Sequence, residues 1–262
     1  MRVIITLISL AALGCALTIG FAGPGTQMGW WDYGTGLGLI RQVSAPIQIT
    51  EGIGISPIFT LAGLAAIGGI IALIIRPRGL GVFAIVCALV AFGAAQVPLK
   101  MRALVEANPF IHDITTDFDN PPPIIAGASK ERKNPPEYVG DSLVSRSEMT
   151  VAEAQAEAFP DLKPVKFNAA LDETREIVRH IIEEMNMEIL DETLNDDGWL
   201  IEAEFKSKWF GFYDDFVVRL SPEGSLTRVD VRSKSRVGGS DLGANAARIK
   251  TFFEKLKEAQ PI

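Results

Sequence analysis

Polar chemistry is scarce in the first 99 residues of this 262-residue chain, which hold four basic side chains (Arg2, Arg41, Arg76, Arg78), two acidic ones (Asp32, Glu51) and no histidine. The whole chain has two cysteines, Cys15 and Cys87, both inside apolar runs, and two histidines, His112 and His180. With no cysteine elsewhere, the polar part has neither a disulfide nor thiol chemistry, and an oxidising compartment is allowed without being required. The same shortage leaves no His/Cys cluster for zinc. No phosphate-binding glycine loop occurs, and "GGSDL" (238–242) is not a nucleophile elbow because its closing glycine falls one residue late. No cofactor and no metal are expected.

What the first part has instead is apolar length. Uncharged runs cover about 3–22, 53–75 and 79–99, each near the ~20 helical residues that cross a hydrocarbon core about 30 Å thick. The chain is therefore expected to be a multi-pass membrane protein with lipid as its first partner. The run 3–22 has a second reading, a cleaved signal peptide ending at Gly20-Phe21-Ala22. Ala12, Ala16 and Gly20, and Ala62, Ala66, Gly68 and Gly69, supply the small residues that let helix backbones approach. No run contains an ionisable side chain, so a small packed bundle is favoured over a transport path. Arg2 and the "RPRG" hairpin (76–79) belong in the cytoplasm by the positive-inside rule, with Lys100 and Arg102 arguing the other way. That places the remainder on the periplasmic side of an inner membrane. Trp30, Trp31 and Tyr33, between the first two runs, suit an interfacial loop or short surface helix.

After residue 99 the balance reverses: 21 basic residues stand against 30 acidic, a net −9 that disfavours nucleic acid. Three regions are expected: a transmembrane part to 104, an extended, proline-rich segment over 105–166, and a regular domain over 167–262. In the segment, His112, Asp113, Asp117 and Asp119 crowd together. No glycine turn of the EF-hand kind accompanies them, so solvation is preferred to metal binding, and Phe110, Ile111, Ile114 and Phe118 are expected to pack the segment on the domain. In the domain, Leu171, Thr174, Val178, Ile181, Ile182 and Met185 share one helix face. "MEILDETL", "WLIEAEFKSKWF", "DFVVRL" and "TRVDVRSKSRV" read as four strands, and Leu242, Ala246, Ile249, Phe253 and Leu256 line a last helix. The fold expected is α+β: three transmembrane helices, then a two-layer domain with an antiparallel four-stranded sheet covered on one face by two helices.

One stretch is unusually polar for its place: "RVDVRSKSRVGGSDLGANAARI" (228–249). Alternation puts Val229, Val231, Ser233, Ser235 and Val237 under the helices and Asp230, Arg232, Lys234 and Arg236 on the open face, beside Asp215 and Arg219 of the preceding strand. Cross-strand ion pairing accounts for such a face without a ligand. The stretch ends in a glycine-containing loop and a helix start with Ser240 or Asp241 as N-cap. Free N–H groups there attract anions. Arg232, Arg236, Ser240, Asp241, Asn245 and Arg248 are thus the candidate site for an anion or acidic partner, with Asp215, Arg219 and Asp230 as sheet-face candidates. The competing reading is architectural, with Asp241 itself satisfying those N–H groups.

"IHDITTD…PPP", "WFGFYDDFVVR" and "VDVRSKSRVGGSDLGANAARI" resemble the bacterial and plastid family of unknown function numbered fourteen-ninety-nine, over about 108 to the C-terminus. The resemblance implies membrane spans ahead of the domain and carries no activity, cofactor or catalytic residue. The function expected is a non-catalytic module that binds another envelope protein or an anionic envelope component. The alternatives are an envelope hydrolase or transferase using Asp214, Asp215 or Asp241, and an assembly factor acting through its spans.

Overall fold

The computed structural model describes residues 1–50, 53–75, 77–145 and 147–259. Glu51 and Arg76, used above for charge and orientation, lie outside the described residues, as does the end of the expected domain past 259. The chain divides into two compact units, Met1–Ala103 with Lys208–Gly211, and Leu104–Ser207 with Phe212–Ile262.

The first unit contains α1 (Arg2–Gln27), α2 (Tyr33–Ser44), the hairpin β1 (Ile47–Thr50) and β2 (Ile53–Ile55), α3 (Pro57–Ile75) and most of α4 (Arg78–Ala107). Helices α1, α3 and α4 are long and apolar enough to cross a membrane. Their exposed residues are large and apolar, among them Val3, Leu7, Ile67, Ile70, Leu89 and Phe92, as lipid would demand. Most of their buried residues are small, among them Ala12, Ala16, Ala62, Ala65, Ala84, Ala91 and Ala95, with Ile5, Ile19 and Ile58 as larger exceptions. At Gly81 a Cβ would lie 2.7 Å from the Gly69 carbonyl oxygen, so these two glycines set how closely α3 and α4 approach. Two helices overrun their apolar cores, α1 through Pro24 to Gln27, and α4 through Pro98 to Ala107.

The second unit is α+β. Its elements are β3 (Asp113–Thr115), a 3-10 turn (Ala126–Ser129), α5 (Val151–Ala158), β4 (Val165–Phe167), α6 (Leu171–Glu184), β5 (Glu188–Asn195), β6 (Gly198–Lys206), β7 (Tyr213–Glu223), β8 (Leu226–Ser235) and α7 (Ala244–Glu258). The expected four-stranded meander is there as β5 to β8, but the antiparallel sheet has six strands, in the order β3-β8-β7-β6-β5 with β4 also on β8. The two extra strands come from the extended segment. They share the outer edge of β8, β3 against Arg232–Lys234 and β4 against Thr227–Val229, so that edge is not left bare. Three-residue strands show no usable alternation, which is why the sequence pattern missed them.

Helices α6 and α7 cover one face. Val178, Ile181 and Ile182 from α6 and Ala246, Ile249, Phe252 and Leu256 from α7 meet Ile201, Ala203, Phe216, Val218, Leu220, Val229 and Val231 from the sheet in one buried cluster. Phe252 takes the buried place expected for Phe253, which is only partly buried. Trp209, expected on β6, lies beyond its end: Lys206 pairs with Tyr213, and the chain turns through Gly211 at φ +71°. Helix α5 was not anticipated, although Thr150 and Glu153 carry the capping-box signature that starts it.

Candidate functional site

The polar strand β8 alternates as expected, but the face taken to be open is covered. Asp230, Arg232, Lys234 and Arg236, with Asp215 and Glu202, are each at most 3% exposed. The cover is the irregular chain that follows β3. Such chain brings carbonyls and N–H groups with no ladder of their own, and burying them unpaired is costly. The charged side chains of the sheet serve as their partners.

Three groups do this. At the β3 edge, Asp113 accepts from Arg232 Nε and Nη2, both at 2.9 Å, and lies 2.9 Å from Lys234 Nζ. The remaining donors go to backbone: Arg232 to the carbonyls of Pro122 (3.3 Å) and Pro136 (2.9 Å), Lys234 to that of Glu137 (2.6 Å). Burial pushes the Lys234 ammonium below its ordinary value, and Asp113 opposes that by favouring the charge. Tyr138 stacks near Arg232, and its hydroxyl is pushed up by burial and by Asp113. In the middle, Arg236 bonds Asp215 (2.8 Å) and pairs with Glu204 (2.8 Å), while Arg132 from the cover pairs with Asp215 (3.0 Å) and donates to the carbonyls of Gly127 and Asn134. Asn134 donates in turn to the carbonyls of Ser235 and Gly238. Beside this group, Glu202 accepts three backbone N–H bonds, from Ile125, Ala126 and Gly127 at 2.8–3.1 Å, and so caps the 3-10 turn. At the far end, Arg219 and Arg228 share Asp117 and Asp230, at 2.9–3.1 Å.

The opposite face has a polar group of its own. Arg248 on α7 donates to Asp214 (2.7 Å), Ser233 and Asn245, and Asn245 also bridges to Ser235. Asp214 and Asp215 thus point to opposite sides of the sheet, as alternation requires.

The six candidate ligand residues therefore do not converge. Arg232 and Arg236 lie on the cover side, and Asn245 and Arg248 on the helix side. Ser240 and Asp241 lie in the turn before α7. That helix begins later than expected, at Ala244, because Leu242 (φ +57°) and Gly243 (φ +83°) form a left-handed turn ahead of it. Gly243 is the cap residue, and it packs against Asn108 so closely that a Cβ would overlap that side chain. Asp241 accepts from the N–H groups of Gly243 (2.9 Å) and Asn245 (2.8 Å), so a carboxylate of the chain itself sits at the helix start. Burial raises the Asp241 carboxyl, and those two bonds pull it back. Ser240 Oγ accepts from the N–H of Leu242 (3.2 Å). The sheet-face candidates Asp215, Arg219 and Asp230 are all in the ion pairs above.

The acidic residues crowded in sequence also part: Asp113 faces Arg232 and Lys234, whereas Asp117 faces Arg219 and Arg228. Among the described residues, no three His, Cys, Asp or Glu side chains gather in a way suited to a metal ion. Ile111 and Ile114 are buried as expected, but Phe110 and Phe118 are half or more than a third exposed. Sequence reasoning missed Glu202 and Arg132 as partners of the cover, and Gln155, whose amide is buried against both backbone groups of Thr115 on β3. The capping box before α5 is the signal that points toward Gln155.

No curated protein matches this chain. A family model described as protein of unknown function (DUF1499) matches residues 113–256. The match opens on Asp113, the carboxylate shared by Arg232 and Lys234, and closes on Leu256, a buried residue of α7. By that match, over more than half its length, the chain belongs to the DUF1499 family of proteins of unknown function.

Proposed function

We propose that this chain is an inner-membrane protein presenting a non-catalytic α+β module on the periplasmic side, where it binds another envelope protein or an anionic envelope component. Arg2 and Arg78 at the cytoplasmic ends of α1 and α4 support the orientation. The buried charges support a structural role for the polar stretch, because each is paired with an opposite charge or backbone group of the chain itself, although Arg132 Nη2 and the Tyr138 hydroxyl are left without a hydrogen-bond partner among the described residues. Contact then falls to the surface.

The observation that carries the reading is an open groove of about 710 Å³ beside α7. Leu162, Val165 and Phe253 give it an apolar floor, Lys166, Lys250 and Lys257 stand on its rim, and Asp161 and Glu254 are interspersed among them. An apolar floor with a few fixed polar groups is the usual form of a binding cleft. Lys166 is held by Glu223, which leaves Lys250 and Lys257 to meet carboxylates on an extended segment with apolar side chains. A photocrosslinking residue at Lys257 in native membranes is expected to yield one defined adduct, weakened by Lys250→Glu. An equal yield of the same adduct from Lys130, or no adduct above background, contradicts the reading.

A further inference from the structure

The hairpin between α2 and α3 has a face that nothing in its own unit covers. Ile47 pairs with Ile55, so these two point to one side, while Ile49 lies at a register irregularity between Gln48 and Thr50. Ile47, Ile49 and Ile55 are 62%, 61% and 40% exposed. The other side carries Gln48 opposite Gly54, where a Cβ would meet the Gln48 amide at 3.1 Å. A two-stranded hairpin is marginal in water without a surface under it.

The geometry points to the lipid interface as that surface: the isoleucine face of β1–β2 rests in the outer headgroup and upper acyl region of the bilayer that α3 crosses. Four observations fix this occupant. Strand β2 ends at Ile55 and α3 begins at Pro57, so Ile55 lies within ~7 Å of the first residue of a membrane span. The hairpin base is tied down, because Ser56 Oγ donates to the Ser44 carbonyl at 2.8 Å and so joins the end of α2 to the start of α3. Neither strand contains a charged residue. Trp30, at the turn after α1, is 61% exposed and unsuited to open water. The strands pair with each other along one edge only, so their outer edges need headgroups or water. That sets the depth at the interface and not in the hydrocarbon core.

The inference rests on α3 spanning the bilayer, and its test separates the two. In the full chain with Cys15→Ala and Cys87→Ala, a single cysteine is placed at Ile47, Gln48 or Ile67, labelled with an environment-sensitive dye and reconstituted in phosphatidylcholine vesicles. The vesicles carry a spin label either near the headgroup or deep in the acyl chain. Ile67, more than half exposed on α3, reports the span itself. The Ile47 dye is expected to be quenched at least twofold more by shallow spin label than the Gln48 dye, and less by aqueous iodide, with the Ile67 dye quenched by deep label. Deep quenching at Ile67 with equal iodide access at Ile47 and Gln48 overturns the hairpin inference while leaving the span intact. A dry Ile47 site that no lipid label reaches, with disulfides between Ile47→Cys copies, overturns it in favour of a second copy. Hydroxyl-radical footprinting of the unaltered chain in lipid discs gives a readout free of substitutions. Ile47 and Ile55 should label much more slowly than Leu194, which is 58% exposed in the other unit, and labelling at the Leu194 rate contradicts the inference.

Discussion

Val218 and Arg219 are neighbours on β7, Val218 buried and Arg219 largely covered, on opposite sides of the same sheet. Val218 enters the apolar cluster beneath α6 and α7, while Arg219 enters the ion pairs with Asp117 and Asp230. The difference follows from what covers each side. A helix arrives with its backbone bonds already made, so it asks the sheet only for apolar surface. The chain after β3 arrives as turns and proline-rich runs, with backbone groups that need partners. Arginine, with five donors on a long stem, can hold a carboxylate and reach two carbonyls at once, as Arg232 does with Asp113, Pro122 and Pro136. A small apolar patch of Ile124, Leu200 and Val217 supplements these bonds but does not replace them.

The contrast breaks hardest at Asp113. Asp113→Ala leaves Arg232 and Lys234 as buried cations with no carboxylate, at a cost of about 3–5 kcal/mol. Chemical unfolding of the full chain in detergent measures the loss, and amide exchange should locate it first in the cover. Phe252→Ala, against Phe216 on the helix side, costs a similar 3–5 kcal/mol by leaving a cavity, but it should loosen α6, α7 and the strands before the cover. Two variants with similar totals and opposite exchange maps are what the comparison demands. Glu202→Gln keeps the shape and removes the charge that holds three N–H groups. About 1–3 kcal/mol should be lost, with faster exchange at 125–127.

The smallest effect is a pH dependence at His112. Burial lowers its pKa, while the Gly239 carbonyl 3.3 Å from Nδ1 partly restores it, so the fold holds the ring neutral more firmly than the unfolded chain does. A depressed folded pKa means that this contribution is complete above the unfolded value of roughly 6.5 and is lost as pH falls through the folded one. Between pH 7.5 and 5.5 the unfolding midpoint should drop more in the wild type than in His112→Gln.

The legible parts of the molecule were the long periodic ones. Three apolar runs, the alternating strands and both covering helices could be read because each repeats a pattern over eight or more residues. So could the sorting of 229–236 into two faces. What covers the charged face could not be read, because turns and proline-rich chain have no period, and the pairing of Asp113 with Arg232 spans 119 residues. A polar face beside a solvent-like segment looked open for that reason. The candidate residues divide between two faces of the sheet, and a local detail, the left-handed pair Leu242-Gly243, delays α7 and turns Asp241 onto its own helix start. The run of prolines at 121–123 was the available hint, since such chain buried on a sheet must find donors there.

The central claim is that the charged side chains of β8 hold the cover in place. Amide exchange across 120–140 in the full chain, compared between wild type and Arg232→Met, tests it most directly. Methionine keeps much of the length and removes every donor. Loss of a buried charge partner worth about 3 kcal/mol predicts exchange faster by on the order of 100-fold in that segment. Unchanged exchange there, with overall stability within roughly 0.5 kcal/mol of wild type, would contradict the account and return Arg232 to the search for a ligand.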